Sequence, residues 1–155
     1  MAQPDVEDVI NAMSSILEAS LPTNLQAVDQ RKTTQLNPVP PRQWLFGDYQ
    51  AVPQLPAVLV TGDQTSTRKD EYGWRDQQYI ITIEAYYAHT DVQTLSRILR
   101  RYGAAIDDTL RQNNTLGGLV KNIANITQRY SQTMKGQPGL FQAVAVECQV
   151  HLITD

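Results

Sequence analysis

Gln77-Gln78-Tyr79-Ile80-Ile81-Thr82-Ile83-Glu84-Ala85-Tyr86-Tyr87-Ala88 is the stretch on which the fold turns. Side chains alternate across a strand with a period of two. That period puts Tyr79, Ile81, Ile83, Ala85 and Tyr87 on one apolar face, and Gln78, Ile80, Thr82, Glu84 and Tyr86 on the other. The second face is only half polar, which leaves room for cover there too. Directly downstream the period changes. Val92, Leu95, Ile98, Leu99, Tyr102, Ile106 and Leu110 recur at three and four, so residues 91–112 are expected to form an amphipathic helix. Thr90 and Gln93 have the spacing of a capping box. Arg97, Arg100, Arg101, Asp107, Asp108 and Arg111 fill the rest of the helix surface, and Gln112-Asn113-Asn114 ends it.

Upstream, a second helix is expected over residues 4–21. Its stripe is Val6, Val9, Ile10, Met13, Ile16, Leu17 and Leu21, with Asp5, Glu7 and Asp8 in the first turn, where the helix dipole favours negative charge. Pro22 is expected to stop it. Residues 23–36 fit either a short second helix or a polar connection. Residues 37–56 carry Pro38, Pro40, Pro41, Pro53 and Pro56 together with Trp44, Leu45, Phe46 and Tyr49. This composition reads as an extended proline-rich arm or loop pinned by its aromatics, since a flexible linker would be rich in Gly and Ser.

Ala57-Val58-Leu59-Val60 is a short apolar run expected to be a buried strand. Residues 61–76 form a polar, charge-dense stretch with Arg68-Lys69-Asp70-Glu71 at its centre. Leu116-Gly117-Gly118-Leu119-Val120 reads as a tight turn into a strand at about 120–130, with Ile126 inward although the alternation is imperfect. Gly136-Gln137-Pro138-Gly139 is a turn by composition. A last strand at about 140–153 points Val144, Val146, Cys148, Val150 and Leu152 one way and Glu147, Gln149 and His151 the other. These elements make an α+β fold: a largely antiparallel four-stranded sheet, two amphipathic helices on one face, and the arm. The whole chain, residues 1–155, reads as a single domain.

Composition limits the chemistry. The chain has 155 residues, 41% hydrophobic and 19% charged, with a net charge of −3. An acidic balance argues against general nucleic-acid binding. One cysteine, Cys148, rules out an internal disulfide, and the two histidines, His89 and His151, leave little for a zinc centre. Cys148 falls mid-strand on an apolar face, as a core residue does. His151 falls on the polar face, and His89 reads as a loop residue before the helix. Asp107 and Asp108 are adjacent on a helix and point apart, so they cannot work as an acid–base pair. Gly117-Gly118 lacks the lysine and hydroxyl of a phosphate loop, and no nucleophile elbow is present. No catalytic, cofactor or metal residue is therefore nominated, and the chain is expected not to be an enzyme. The N-terminus lacks a basic start and an apolar run, and no segment is long and apolar enough for a membrane helix, so synthesis in a cytoplasm is expected. The Asn113 and Asn125 sequons carry no meaning without secretion.

Two segments have the composition of contact surfaces, because Trp, Tyr and Arg are enriched at binding hot spots. One is Arg68, Lys69, Asp70, Glu71, Tyr72, Trp74 and Arg75; the other is the arm with Trp44 and Phe46. Each is equally compatible with packing onto its own domain, and the arm leans toward a neighbouring subunit. Arg97 and Arg101, four apart, could receive an acidic partner, although a solvated helix face accounts for them as well.

Leu99-Arg100-Arg101-Tyr102-Gly103-Ala104-Ala105-Ile106-Asp107-Asp108-Thr109-Leu110, followed by Asn114-Thr115-Leu116-Gly117-Gly118-Leu119-Val120, resembles the tail terminator (tail completion, head–tail joining) proteins of long-tailed bacteriophages. Pro56-Ala57-Val58-Leu59-Val60 and Tyr79-Ile80-Ile81-Thr82-Ile83 stand where that family has strands, and the resemblance spans roughly residues 5–153; the proline-rich arm has no match. The resemblance implies a hexameric ring that caps the tail tube, stops its elongation and joins it to the neck, without enzymatic activity or cofactor. Its implied partners are copies of itself, the tail tube protein, the neck or stopper protein and, in a contractile tail, the sheath protein. Contact with DNA would be limited to passage through the lumen. Its implied place is the tail–neck junction of a virion, after synthesis in the host bacterial cytoplasm. Other expectations are another neck component, such as a stopper or head-completion protein, or a small non-viral ligand-binding or regulatory domain with a pocket between sheet and helices.

Overall fold

The computed structural model describes residues 5–46, 55–69, 75–135 and 140–154. The elements run α1 (Val6–Gln30), β1 (Gln43–Phe46), β2 (Ala57–Lys69), β3 (Arg75–His89), α2 (Val92–Gln112), β4 (Asn122–Tyr130), β5 (Met134–Lys135) and β6 (Leu140–Thr154). The fold is α+β. The sheet has six strands where four were expected, ordered β1-β2-β3-β6-β4, with β5 paired on β6. It is mixed, because β1 runs parallel to β2 while the other pairs are antiparallel. Both helices pack on one face of the sheet.

The alternation read for β3 and β6 holds. Tyr79, Ile81, Ile83, Ala85 and Tyr87 are buried, as are Val144, Val146, Cys148, Val150 and Leu152. The register aligns them in rows: Val60 beside Ile83 beside Val146, and Val58 beside Ala85 beside Val144. Leu95, Ile98, Leu99, Tyr102, Ala105, Ile106 and Leu110 of α2 lie on these rows. Val92, placed in that stripe by spacing, is exposed at the first helical position. The N-cap of α2 is Asp91, not Thr90: its carboxylate accepts from the Thr94 backbone N–H and hydroxyl. An ionised carboxylate is the stronger acceptor at a helix start.

Pro22 does not end the first helix. α1 continues for 25 residues to Gln30, with Pro22 inside it. An interior proline costs about 3 kcal/mol relative to alanine. The stripe past it, Leu25 and Val28, is fully buried, and burying two such side chains contributes about 3–6 kcal/mol. Packing therefore outweighs the missing hydrogen bond. At its other end α1 begins with a reciprocal cap: Asp8 N–H donates to the Asp5 carboxylate, and Asp5 N–H donates to the Asp8 carboxylate.

Three further stretches take a definite form. Within the stretch 37–56, residues Gln43 to Phe46 form β1 and pair with Ala57 to Val60, so this part lies on its own sheet. Prolines are tolerated beside an edge strand, where no ladder hydrogen bond is lost. The polar stretch at 61–76 carries strand at both ends, because β2 extends to Lys69 and β3 begins at Arg75. In β4 the inward residue is Ile123, while Ile126 is only half-buried. A register shift between Ala124 and Thr127, with Asn125 at φ 54°, breaks the alternation there. The turn before β4 is as composed: Leu116, Gly117 and Gly118 all have positive φ, and Gly118 and Val120 N–H donate to the Thr115 carbonyl. The Gly136–Gly139 turn lies outside the described residues.

Candidate functional site

The expected contact residues divide. Arg68 and Lys69 stand on β2 and Arg75 opens β3, with Lys69 opposite Arg75 and Arg68 opposite Asp76. Asp70, Glu71, Tyr72 and Trp74 lie outside the described residues. Trp44 is half-buried on β1 beside Val58 and packs on the domain's own core, and Phe46 stands beside Val60. The hairpin and the arm thus start from opposite ends of β2. Gly62 marks where α1 meets β2. A methyl there would come within 2.5 Å of the Ile81 Cδ1 and 3.2 Å of the Val6 Cγ2, so the absence of a side chain lets the helix start sit directly on the strand. Beyond Gly62 the β2–β3 ladder continues to Lys69↔Arg75, and β6 accompanies β3 to Arg75↔Thr154.

The helices are joined by a charged clamp. Asp29, near the end of α1, is 2% exposed, and Arg101 of α2 is 7% exposed. Arg101 Nη1 donates to Asp29 Oδ1, Leu36 N–H donates to Oδ1 at 3.0 Å, and Asn37 N–H donates to Oδ2 at 3.1 Å. Burial alone would raise the Asp29 pKa. The Leu36 N–H, Arg101 and Asn37 N–H bonds outweigh it and hold the carboxyl below its ordinary value. One carboxylate therefore fixes α2 and the chain that leaves α1. Val39 is held next: its N–H donates to the Tyr87 hydroxyl at 3.1 Å, and its carbonyl accepts from the Tyr102 hydroxyl. Outside the clamp, Asn24 Nδ2 donates to Thr109 Oγ1, and Arg31 pairs with Asp108 at 3.1 Å.

Asp29 was not singled out from the sequence. Its signal was position, since it follows Leu25 and Val28 on the inward face once the helix is allowed past Pro22. Arg101 likewise falls beside Ile98 and Tyr102 on the apolar stripe, so it does not share an outward face with Arg97. Arg97 and Arg100 are exposed and, with Lys32, Thr33, Thr34 and Arg101, line an open cleft of about 340 Å³.

The other chemical residues have structural employment. Asp107 pairs with Arg111 one turn on, and Asp108 with Arg31. His89 Nδ1 accepts the Asp91 N–H, fixing the entry to α2. Cys148 is fully buried, and burial, reinforced by the Glu147 charge, pushes its thiol up to about 12. Its thiolate, the reactive form, is thus suppressed at neutral pH. We predict that Cys148 resists maleimide in the native protein and is labelled only at the rate of unfolding, as mass spectrometry across a urea series will show. Fast labelling without urea would contradict its core placement. Among the described residues, no group of three or more His, Cys, Asp or Glu side chains is placed to hold a metal ion, and no helix is long and apolar enough to cross a membrane.

No family model matches the chain, and no curated protein matches it. Among solved structures it is similar to a chain of the "Virion of native gene transfer agent (GTA) particle", at 10% identity and a TM-score of 0.44, with 88% of this chain and 94% of that chain covered.

Proposed function

We propose that the chain is a structural subunit of a phage-type virion, and more finely that it forms a ring, six copies in the reading that the sequence resemblance implies, which caps a tail tube and joins it to the neck. The observation that supports this most is the β2–β3 hairpin, whose ladder continues past Gln77, which stands opposite the buried Leu152, to Lys69↔Arg75. A hairpin end that passes the core is suited to packing on a neighbour. A head-to-tail ring needs two different patches per subunit, and in this reading they are the hairpin end at Lys69↔Arg75 and the edge of the sheet formed by β1. In this reading the subunit works by shape and not by turnover. Its partners are its own copies, the tube protein and the neck protein, with the sheath protein added in a contractile tail. One face matches the end of the tube, and the other offers no template for a further tube ring.

Electron microscopy of the purified chain mixed with tail tubes tests the reading. Closed rings seated on tube ends are expected. A chain found in the neck but apart from the tube end would move it to a stopper or head-completion role. A chain that stays a single subunit with and without tubes would contradict any ring.

A further inference from the structure

We propose that the cleft between the end of α1 and the middle of α2 is a binding site for a phosphate group. Its lining brings Lys32, Arg97, Arg100 and Arg101 together with the hydroxyls of Thr33 and Thr34. Among the described residues, Asp29 is the only carboxylate paired into this set, so the described lining keeps a surplus of three positive charges in a chain whose net charge is −3. Among the described residues, the side chains of Lys32, Arg97 and Arg100 make no hydrogen bond or ion pair.

The helix dipoles do not account for this concentration. A cation after the C-terminus of α1 is expected, and Arg31 and Lys32 satisfy that. Arg97 and Arg100, by contrast, stand in the first half of the 21-residue α2, where no dipole calls for positive charge. Arg101 makes the site built and not merely charged. It is 7% exposed and its Nη1 is held by Asp29. A guanidinium has five N–H donors in a rigid fork, so donors remain on a side chain that cannot swing away. Preorganised donors of this kind match tetrahedral oxyanions.

Charge decides between oxyanions. One phosphate carries up to two negative charges and several acceptors on one centre. Carboxylates would have to arrive about three at a time to neutralise the same cleft, and a cleft of about 340 Å³ suits one compact group better. The phosphate can come from a small phosphorylated molecule, whose monoester offers three terminal oxygens and up to two charges, or from a nucleic-acid backbone, where each phosphodiester offers two terminal oxygens and one charge and neighbouring phosphates add theirs.

The test is a titration of the isotope-labelled full chain with inorganic phosphate at constant ionic strength, followed by amide resonances in NMR. Saturable shifts confined to residues 32–34 and 97–101 are expected, with a midpoint of about 1 mM or tighter, in the range a few charge-assisted bonds supply. Arg97→Ala/Arg100→Ala, and separately Lys32→Ala, should weaken binding at least about tenfold while leaving the rest of the spectrum in place; these side chains are exposed, so the fold survives their loss. A short DNA duplex that moves the same amides and competes with phosphate identifies a backbone source. A duplex that does not compete identifies a small phosphorylated ligand. Either upholds the site. Absence of saturable shifts at tens of millimolar, an equal response to acetate or to a Glu-rich peptide, or an unchanged response in the variants would overturn it.

Discussion

Asp29→Ala should lower the unfolding free energy by about 3–5 kcal/mol, the range for breaking a buried ion pair by removing one partner. The loss has three parts. Arg101, 7% exposed, keeps its charge in the helix interface with no counter-ion. Leu36 and Asn37 lose the acceptor of their N–H groups. Asn37 is at φ 50°, a conformation that few residues other than glycine adopt freely, and the carboxylate is what fastens it there. Asp29→Asn keeps an acceptor without the charge and should cost less. Asp29→Leu combined with Arg101→Met should recover only the part of the loss that comes from the unpaired Arg101 charge, because the Leu36 and Asn37 N–H groups stay without their acceptor. Urea midpoints at equal m-values measure all three.

The same group fixes an acid dependence. Its folded pKa lies below the unfolded value, so its stabilising contribution is fully present above the unfolded pKa, about 4, and is lost as pH falls through the lower, folded pKa. The gap between wild type and Asp29→Asn should therefore be constant near neutrality and shrink below about pH 4. A gap that widened in acid would contradict the assignment.

Pro22→Ala should raise stability by about 2 kcal/mol. The interior of α1 gains an N–H for the carbonyl one turn back and loses the ring's clash with it, together worth about 3 kcal/mol. Against this, alanine returns about 0.4–1 kcal/mol of entropy to the unfolded chain. For a chain of this size the net gain corresponds to a melting temperature higher by about 4–8 °C. A lower melting temperature would show that the ring of Pro22, which lines a cleft with Leu25 and Pro38, contributes packing that exceeds the helix penalty.

That residue also shows where sequence reasoning stops. A proline is a local signal, and the burial of Leu25 and Val28 against α2 is not local, so the helix read as ending at residue 21 continues to Gln30. β1 was hidden for a related reason. Five prolines between residues 38 and 56 read as an arm, whereas Trp44 and its neighbours need only one ladder, on an edge, to become a strand. The polar residues at 61–69 give no strand signal of their own, and their register is carried by the backbone of β3, whose alternation is legible. β3, β6 and α2 could be read because one face of each is almost wholly apolar. The site could not. Asp29 and Arg101, or Lys32 and Arg97, stand more than 60 positions apart in the sequence and meet only when α1 packs on α2. The contact residues at 68–75 are legible by type alone, and four of them, Asp70, Glu71, Tyr72 and Trp74, lie outside the described residues.

The central proposal is that this chain ends a tail tube by its shape. Tail length in particles whose gene for the chain has been deleted tests it most directly, with electron microscopy as the readout. Tubes that overrun their normal length, accompanied by heads without tails, are expected, with recovery of both when the gene is supplied in trans. Tails of normal, uniform length attached to their heads in the deletion would contradict it.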